Sequence, residues 1–214
     1  MHISPQQASK NRNYFILKAK ELMKNRVQST DATLNQCYMV MVCAKQHPDV
    51  LAELLEYGLN PNLCGFAGFV INSAITGKCL ENVRLLVKYG ADVNKASSNV
   101  FERTPLQAAI NMYNVIDEVS IEIVKVLLAA GANPNVQDNY GNTVLFTAIK
   151  NGEEFRSDLI SLLLKYNADP FVLNKEGRDA MMVAREMCFY DDVERMDDYL
   201  CLILEEGSVV IRQT

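Results

Sequence analysis

The sequence predicts an all-α fold, a solenoid of about five stacked helix–turn–helix units joined by β-turn or hairpin fingers. The first observation is a phrase that recurs: Leu54-Leu55-Glu56-Tyr57-Gly58-Leu59-Asn60-Pro61-Asn62, then Leu86-Val87-Lys88-Tyr89-Gly90-Ala91-Asp92-Val93-Asn94, then Leu127-Leu128-Ala129-Ala130-Gly131-Ala132-Asn133-Pro134-Asn135, and a weaker copy, Leu163-Leu164-Lys165-Tyr166-Asn167-Ala168-Asp169-Pro170. Its glycine position moves from 58 to 90, 131 and 167, in steps of 32, 41 and 36 residues. The second is a phrase that precedes the copies, clearest in Arg103-Thr104-Pro105-Leu106-Gln107-Ala108-Ala109 and Asn142-Thr143-Val144-Leu145-Phe146-Thr147-Ala148, with looser versions ending at Ala74 and Ala184.

Taken in order, the chain begins with an expected capping helix in residues 1–29. Ser4-Pro5-Gln6-Gln7 supplies an N-cap, a proline in the first turn and a glutamine three residues after the cap. Tyr14, Phe15, Leu17, Leu22 and Met23 give an apolar stripe at roughly helical spacing over about 5–26. The first unit spans about 30–62, with Leu34, Cys37, Tyr38 and Met41 at helical spacing. The others are expected at about 63–94, 95–135, 136–174 and 175–207. The last is read as a C-terminal cap, with helices around Ala180–Ala184 and Met196–Leu204 and many outward acids. The tail, 208–214, carries Val209-Val210-Ile211 and has no assigned place.

Each unit follows from local chemistry. Thr104 and Thr143 can accept an orphan amide hydrogen bond at a helix start, and Pro105 sits where its missing N–H costs nothing. Alanines one turn on let two helices approach closely. Paired leucines form the apolar face of the second helix, which glycine then ends in a left-handed conformation. Asn167 takes that place in the fourth copy, and asparagine is the next-best residue there. Extra residues fall in 111–120 and 151–158, between the two helices of the third and fourth units, and are expected to lengthen a helix or its loop without breaking the stack.

The Thr-Pro-Leu-x-x-Ala start, the Leu-Leu-x-x-Gly-Ala-Asp/Asn-x-Asn end and the Asp138-Asn139-Tyr140-Gly141-Asn142-Thr143 hairpin between them strongly resemble the ankyrin repeat. The resemblance covers roughly residues 30–207 and implies an ankyrin-repeat solenoid. The histidine usual in the helix start is Gln107 in one copy and Phe146 in another.

Composition narrows the function. Of 214 residues, 49% are hydrophobic and 22% charged, which suits a folded chain, and the net charge of −5 does not favour nucleic acid. The charge is polarised. Residues 1–26 hold six basic groups against Glu21 alone, and 175–214 hold ten acids against five bases. These read as solvated ends, or, for the acidic one, as a contact for a basic partner. Cysteines at 37, 43, 64, 79, 188 and 201 form no CxxC pair and fit buried free thiols in a reducing compartment. The polar first residues are unlike a secretory signal, and no apolar run approaches the roughly 20 residues that span a bilayer. A cytoplasmic protein is expected, in its own cell or in a host's cytosol.

No cofactor or metal is expected, because ligand spacing and glycine-rich phosphate loops are lacking. Cys43 and His47 stand four apart and could share a helix face, which leaves a cysteine-dependent enzyme as a minor reading. No orienting carboxylate accompanies them, and His47 before Pro48 suits a structural turn, so the chain is read as no enzyme.

The ankyrin resemblance implies instead a partner protein, with no nucleic acid and no membrane, bound by a chain that is monomeric alone. It implies a concave face made by hairpin tips and the exposed side of each first helix. On this chain that face maps to Asn99, Phe101, Glu102 and Arg103 before the third unit, and Met112 and Tyr113 on its helix. It continues through Asn139, Tyr140, Asn142 and Lys150 in the fourth unit, and Lys175, Glu176, Arg178 and Arg185 in the fifth. Phe101 and Tyr140 stand out as anchors, because an aromatic at a turn tip has little local core to fill. The alternative is that each ring folds back on its hairpin. The function expected is a scaffold or adaptor, or alternatively a toxin-neutralising immunity protein or a host-directed effector of a bacterium or virus.

Overall fold

Helices after Thr104, Thr143 and Asp179 start on side-chain caps, and helices stop where the chain can turn left-handed. The structure, a computed structural model, describes residues 17, 47–65, 68–96, 103–111, 118–151, 156–186, 194 and 197. Along these run α1 (Pro48–Glu56), a hairpin of β1 (Cys64–Gly65) and β2 (Gly68–Phe69), α2 (Val70–Thr76), α3 (Leu80–Lys88), α4 (Pro105–Asn111), α5 (Glu118–Ala129), α6 (Val144–Asn151), α7 (Arg156–Lys165) and α8 (Ala180–Glu186). The architecture is the all-α repeat fold expected. The N-terminal helix, most of the first unit, the second helix of the last and the tail fall outside the described residues, apart from single helical positions at Leu17, Glu194 and Asp197.

The caps are explicit. Thr104 Oγ1 accepts from the Gln107 amide at 3.3 Å, and Gln107 Oε1 accepts from the Thr104 amide at 2.9 Å. This is a reciprocal capping box, and it gives Gln107 a structural task. Thr143 caps α6 through the Phe146 amide at 3.3 Å, and Asp179 caps α8 through the Met182 amide at 2.7 Å.

Helix ends repeat one geometry. After α5, the Ala132 amide reaches Leu127 O and the Gly131 amide reaches Leu128 O, both at 3.0 Å, with Gly131 at φ +87°. These two bonds satisfy carbonyls that the helix would leave orphaned. The same pair closes α7, where Asn167 takes φ +63° and donates to Leu164 O while the Ala168 amide donates to Leu163 O. Lys78 does this between α2 and α3 at φ +50°, without a glycine.

The chain divides into two compact units, Met1–Ala109 and Ile110–Thr214. In the first, α3 packs on α1 and α2, and Leu51, Leu54, Ile71, Ile75, Val83 and Leu86 are buried. Its hairpin pairs Cys64 with Phe69 and Gly65 with Gly68. In the second, α6 packs on α7 and α8, and Ile123, Leu127, Leu145, Ile149, Leu159 and Leu163 are buried. Ala74, Ala109, Ala148 and Ala184, the small positions of the repeated phrase, are all buried. No helix among the described residues is long and apolar enough to cross a membrane.

Asparagines tie successive loops together. Asn62 Nδ2 donates to Gly90 O at 3.0 Å, and its Oδ1 accepts from the Asp92 amide at 2.7 Å. In the second unit Asn135 does the same, donating to Asn167 O at 2.9 Å and accepting from the Asp169 amide at 2.8 Å. Asn62 and Asn135, each the final asparagine of its phrase, are therefore clamps on the next copy. The position following Asp169-Pro170 carries Phe171, which cannot clamp and is exposed.

Candidate partner-binding surface

The fingers of the second unit are built on acceptor side chains. Asp138 Oδ1 takes the amides of Tyr140 and Asn142 at 2.9 and 2.8 Å, while the Gly141 amide donates to Asp138 O at 2.9 Å. Asn174 repeats the arrangement with the amides of Glu176 and Arg178, both at 2.9 Å, and with the Gly177 amide at 3.0 Å. A short polar side chain that bonds its own backbone is what makes such turns form locally.

The two fingers are joined to each other. The Lys175 amide donates to Tyr140 O at 3.0 Å, and Asn174 Nδ2 donates to Asn142 Oδ1 at 2.9 Å. Gln137 Nε2 donates to Gly141 O at 2.7 Å and to Leu173 O at 2.9 Å. The backbones meet so closely that a Cβ on Gly141 would stand 2.8 Å from Lys175 N. The fingers are thus fixed relative to one another before any partner arrives.

On this frame the expected contact residues divide. Tyr140 projects at a finger tip with 74% of its surface exposed, so its ring does not fold back. Asn139, Lys150, Lys175, Glu176 and Arg185 are exposed. Asn142 and Arg178 are half-buried; Asn142 receives Asn174, and Arg178 pairs with Glu186. Arg103 is half-buried in the other unit. Asn99, Phe101, Glu102, Met112 and Tyr113 lie outside the described residues. Leu173 was not anticipated at this surface, yet it is 54% exposed on the segment leading into the second finger. Its register could have revealed it, since Leu173 and Gln137 each stand immediately before the residue that organises a finger.

Of the catalytic candidates, His47 lies among the described residues and Cys43 does not. His47 stands exposed at the N-cap of α1, where its carbonyl accepts from the Leu51 amide at 3.1 Å and its side chain makes no cap bond. Cys43 lies outside the described residues, so no pairing geometry exists to weigh. Cys79 is a buried free thiol. Among the described residues no group of three or more His, Cys, Asp and Glu could hold a metal. On α5, Lys125 donates to Glu122 at 2.7 Å, and this bond, with the charges of Glu122, Asp158 and Glu118, raises its pKa. That pair is exposed and spaced three apart on one helix, as surface pairs are.

Comparison with known proteins points the same way. Residues 112–196 match the family model described as ankyrin repeats (3 copies). An ankyrin repeat protein of Acanthamoeba polyphaga mimivirus is 36% identical over 103 residues, which cover 40% of this chain and 24% of that protein. Another from the same virus is 34% identical over 101 residues, covering 47% of this chain and 59% of that one. The chain thus spans less than two thirds of either relative. Among solved structures, the ankyrin repeat domain of Bcl-3 superposes with a TM-score of 0.64 at 27% identity, over 75% of this chain and 67% of that one. Ankyrin repeats are a protein–protein interaction module. The repeated phrase, its capping and clamping bonds, the family model and the solved fold agree: residues 112–196 match ankyrin repeats, and the chain has the ankyrin-repeat solenoid fold.

Proposed function

We propose that the chain is a scaffold or adaptor that holds a partner protein on its hairpin tips and the exposed sides of its first helices. The observation that carries this is Tyr140, a ring 74% exposed at the tip of a finger that is hydrogen-bonded to its neighbour. Tyrosine offers a large contact area at low entropic cost, and a pre-fixed support lowers the ordering cost of binding. Asn139, Lys150, Lys175 and Arg185 extend the face within the second unit, and Asn99, Phe101, Glu102, Arg103, Met112 and Tyr113 are proposed to extend it earlier in the chain. The protein acts in the cytoplasm, as a monomer until it meets its partner, and without turnover. A narrower version, a host-directed effector, draws on the mimivirus origin of both relatives above.

The test is affinity capture with mass spectrometry, comparing the native chain with Tyr140→Ala. The expected result is loss of the specifically retained protein with an unchanged melting temperature. Equal retention by the folded variant would remove Tyr140 from the interface and overturn the proposed face.

A further inference from the structure

We infer that Val209-Val210-Ile211, which lies outside the described residues, packs on Phe171 and Leu173, an apolar edge at the last repeat junction. The edge stands where an earlier copy reaches out to its successor. Asn135 donates to Asn167 O and accepts from the Asp169 amide, and Gln137, two residues on, donates to Leu173 O at 2.9 Å. One copy later the same two places hold Phe171 and Leu173, which carry no polar side-chain atom and are 48% and 54% exposed. The turn that presents Phe171 matches the earlier one. The Phe171 amide donates to Asp169 Oδ1 at 2.8 Å, as the Asn135 amide donates to Asn133 Oδ1 at 2.9 Å. Both outward-reaching side chains have therefore changed from amide to hydrocarbon at one junction.

The repeat register names what meets them. Ile203-Leu204-Glu205-Glu206-Gly207 has the helix-end pattern of Leu54-Leu55-Glu56-Tyr57-Gly58, and the step from Asn167 to Gly207 is 40 residues, inside the earlier range of 32 to 41. Asn62 and Asn135 each engage the carbonyl at the glycine position of the next copy and the amide two residues later. Counted from Phe171, those two places are Gly207 and Val209. Where the earlier copies carry Asp92, Asn133 and Asp169, this one carries Val209, so the far side of the junction has turned apolar as well. Leu173, by the same count, meets the chain just past Ile211. Hydrocarbon side chains that face one another gain from contact, while the backbone groups of a surface loop can turn to water in place of a clamp. A segment of the same chain also outcompetes a second copy, since a short flexible tether gives an effective concentration on the order of millimolar. The placement withdraws Leu173 from solvent and leaves Tyr140 at its finger tip, and it stands whether or not a partner binds there.

The chain contains no tryptophan, so Phe171→Trp gives a single reporter in the full chain. Tyr140→Trp supplies the reference for an indole left in water, since Tyr140 is 74% exposed. The indole at position 171 is expected to emit further to the blue than the one at 140 and to resist acrylamide quenching. Adding Val209→Ser/Val210→Ser/Ile211→Ser should shift the emission at 171 to the red and open it to quenching, with the emission at 140 unmoved and the circular dichroism spectrum preserved. Should the triple substitution unfold the chain, Val209→Ser alone carries the same reading. An indole at 171 as red and as quenchable as that at 140 overturns the inference. So does protection that the serine substitutions leave intact, which means another element covers the edge, or protection that vanishes on dilution, which means a second copy does.

Discussion

Gly141 and Gly131 share a left-handed backbone, at φ +80° and +87°, but they sit in different company. A Cβ on Gly131 meets nothing within 4 Å, so alanine there suffers only backbone strain, about 1–2 kcal/mol. On Gly141 it would also press on Lys175 N at 2.8 Å and Asn174 Cα at 3.0 Å, which are backbone atoms that cannot rotate away. Gly141→Ala is therefore expected to cost about 3 kcal/mol or more in urea unfolding, clearly more than Gly131→Ala. Similar costs would mean the fingers separate easily. Asn135 gives a second residue-level expectation. Its amide holds Asn167 O and the Asp169 amide, so Asn135→Ala should cost about 1–3 kcal/mol by the same measurement, while the exposed Asn139→Ala stays within about 0.5 kcal/mol.

Among elements, α4 shows how much a helix start can reveal. Thr104 and Pro105 announce it, and the structure adds the reciprocal bond from Gln107. Since the two side chains work as one unit, Thr104→Ala should cost about 1 kcal/mol and the Thr104→Ala/Gln107→Ala pair less than the sum of the singles, as a double-mutant cycle on thermal melts would show. Additive losses would deny the box. By contrast, α2 has no such announcement. It begins after Phe69 with no side-chain cap bond, entered from a two-stranded hairpin, and only Ala74 marked its place. The hairpin itself was illegible because glycine and apolar residues fill it, Cys64-Gly65-Phe66-Ala67-Gly68-Phe69, where other copies carry polar turn residues. The asparagine clamps were visible as a repeated letter, but their task was not, since the groups they hold lie about 30 residues away.

For the whole molecule, the fold was legible because each copy of the phrase checks the others: glycine at 131 and asparagine at 167 end helices through the same pair of bonds. The surface was only partly legible, because exposure depends on neighbours. Tyr140 and Asn142 are two residues apart in one finger, yet the ring is free while the amide is held by Asn174. Nothing in the local sequence separates these fates. They follow from which residue of the adjoining finger comes alongside.

That division lets stability and recognition be pulled apart. Tyr140 contributes little to the core, so Tyr140→Ala should leave the melting temperature nearly unchanged while abolishing partner capture. Gly141 is buried and offers a partner no side chain, but it holds the two fingers in register through their backbone contact. Gly141→Ala should therefore lower capture even at a temperature where the variant remains folded, because the partner would have to restore the register on binding. Gly131→Ala is the control: it strains a helix end, loses stability, and should keep full capture once folded. Capture assays on the three variants, each well below its own melting midpoint, decide the matter. If Gly141→Ala and Gly131→Ala lose capture equally, or if neither does, the locked fingers are a feature of the fold and not of recognition.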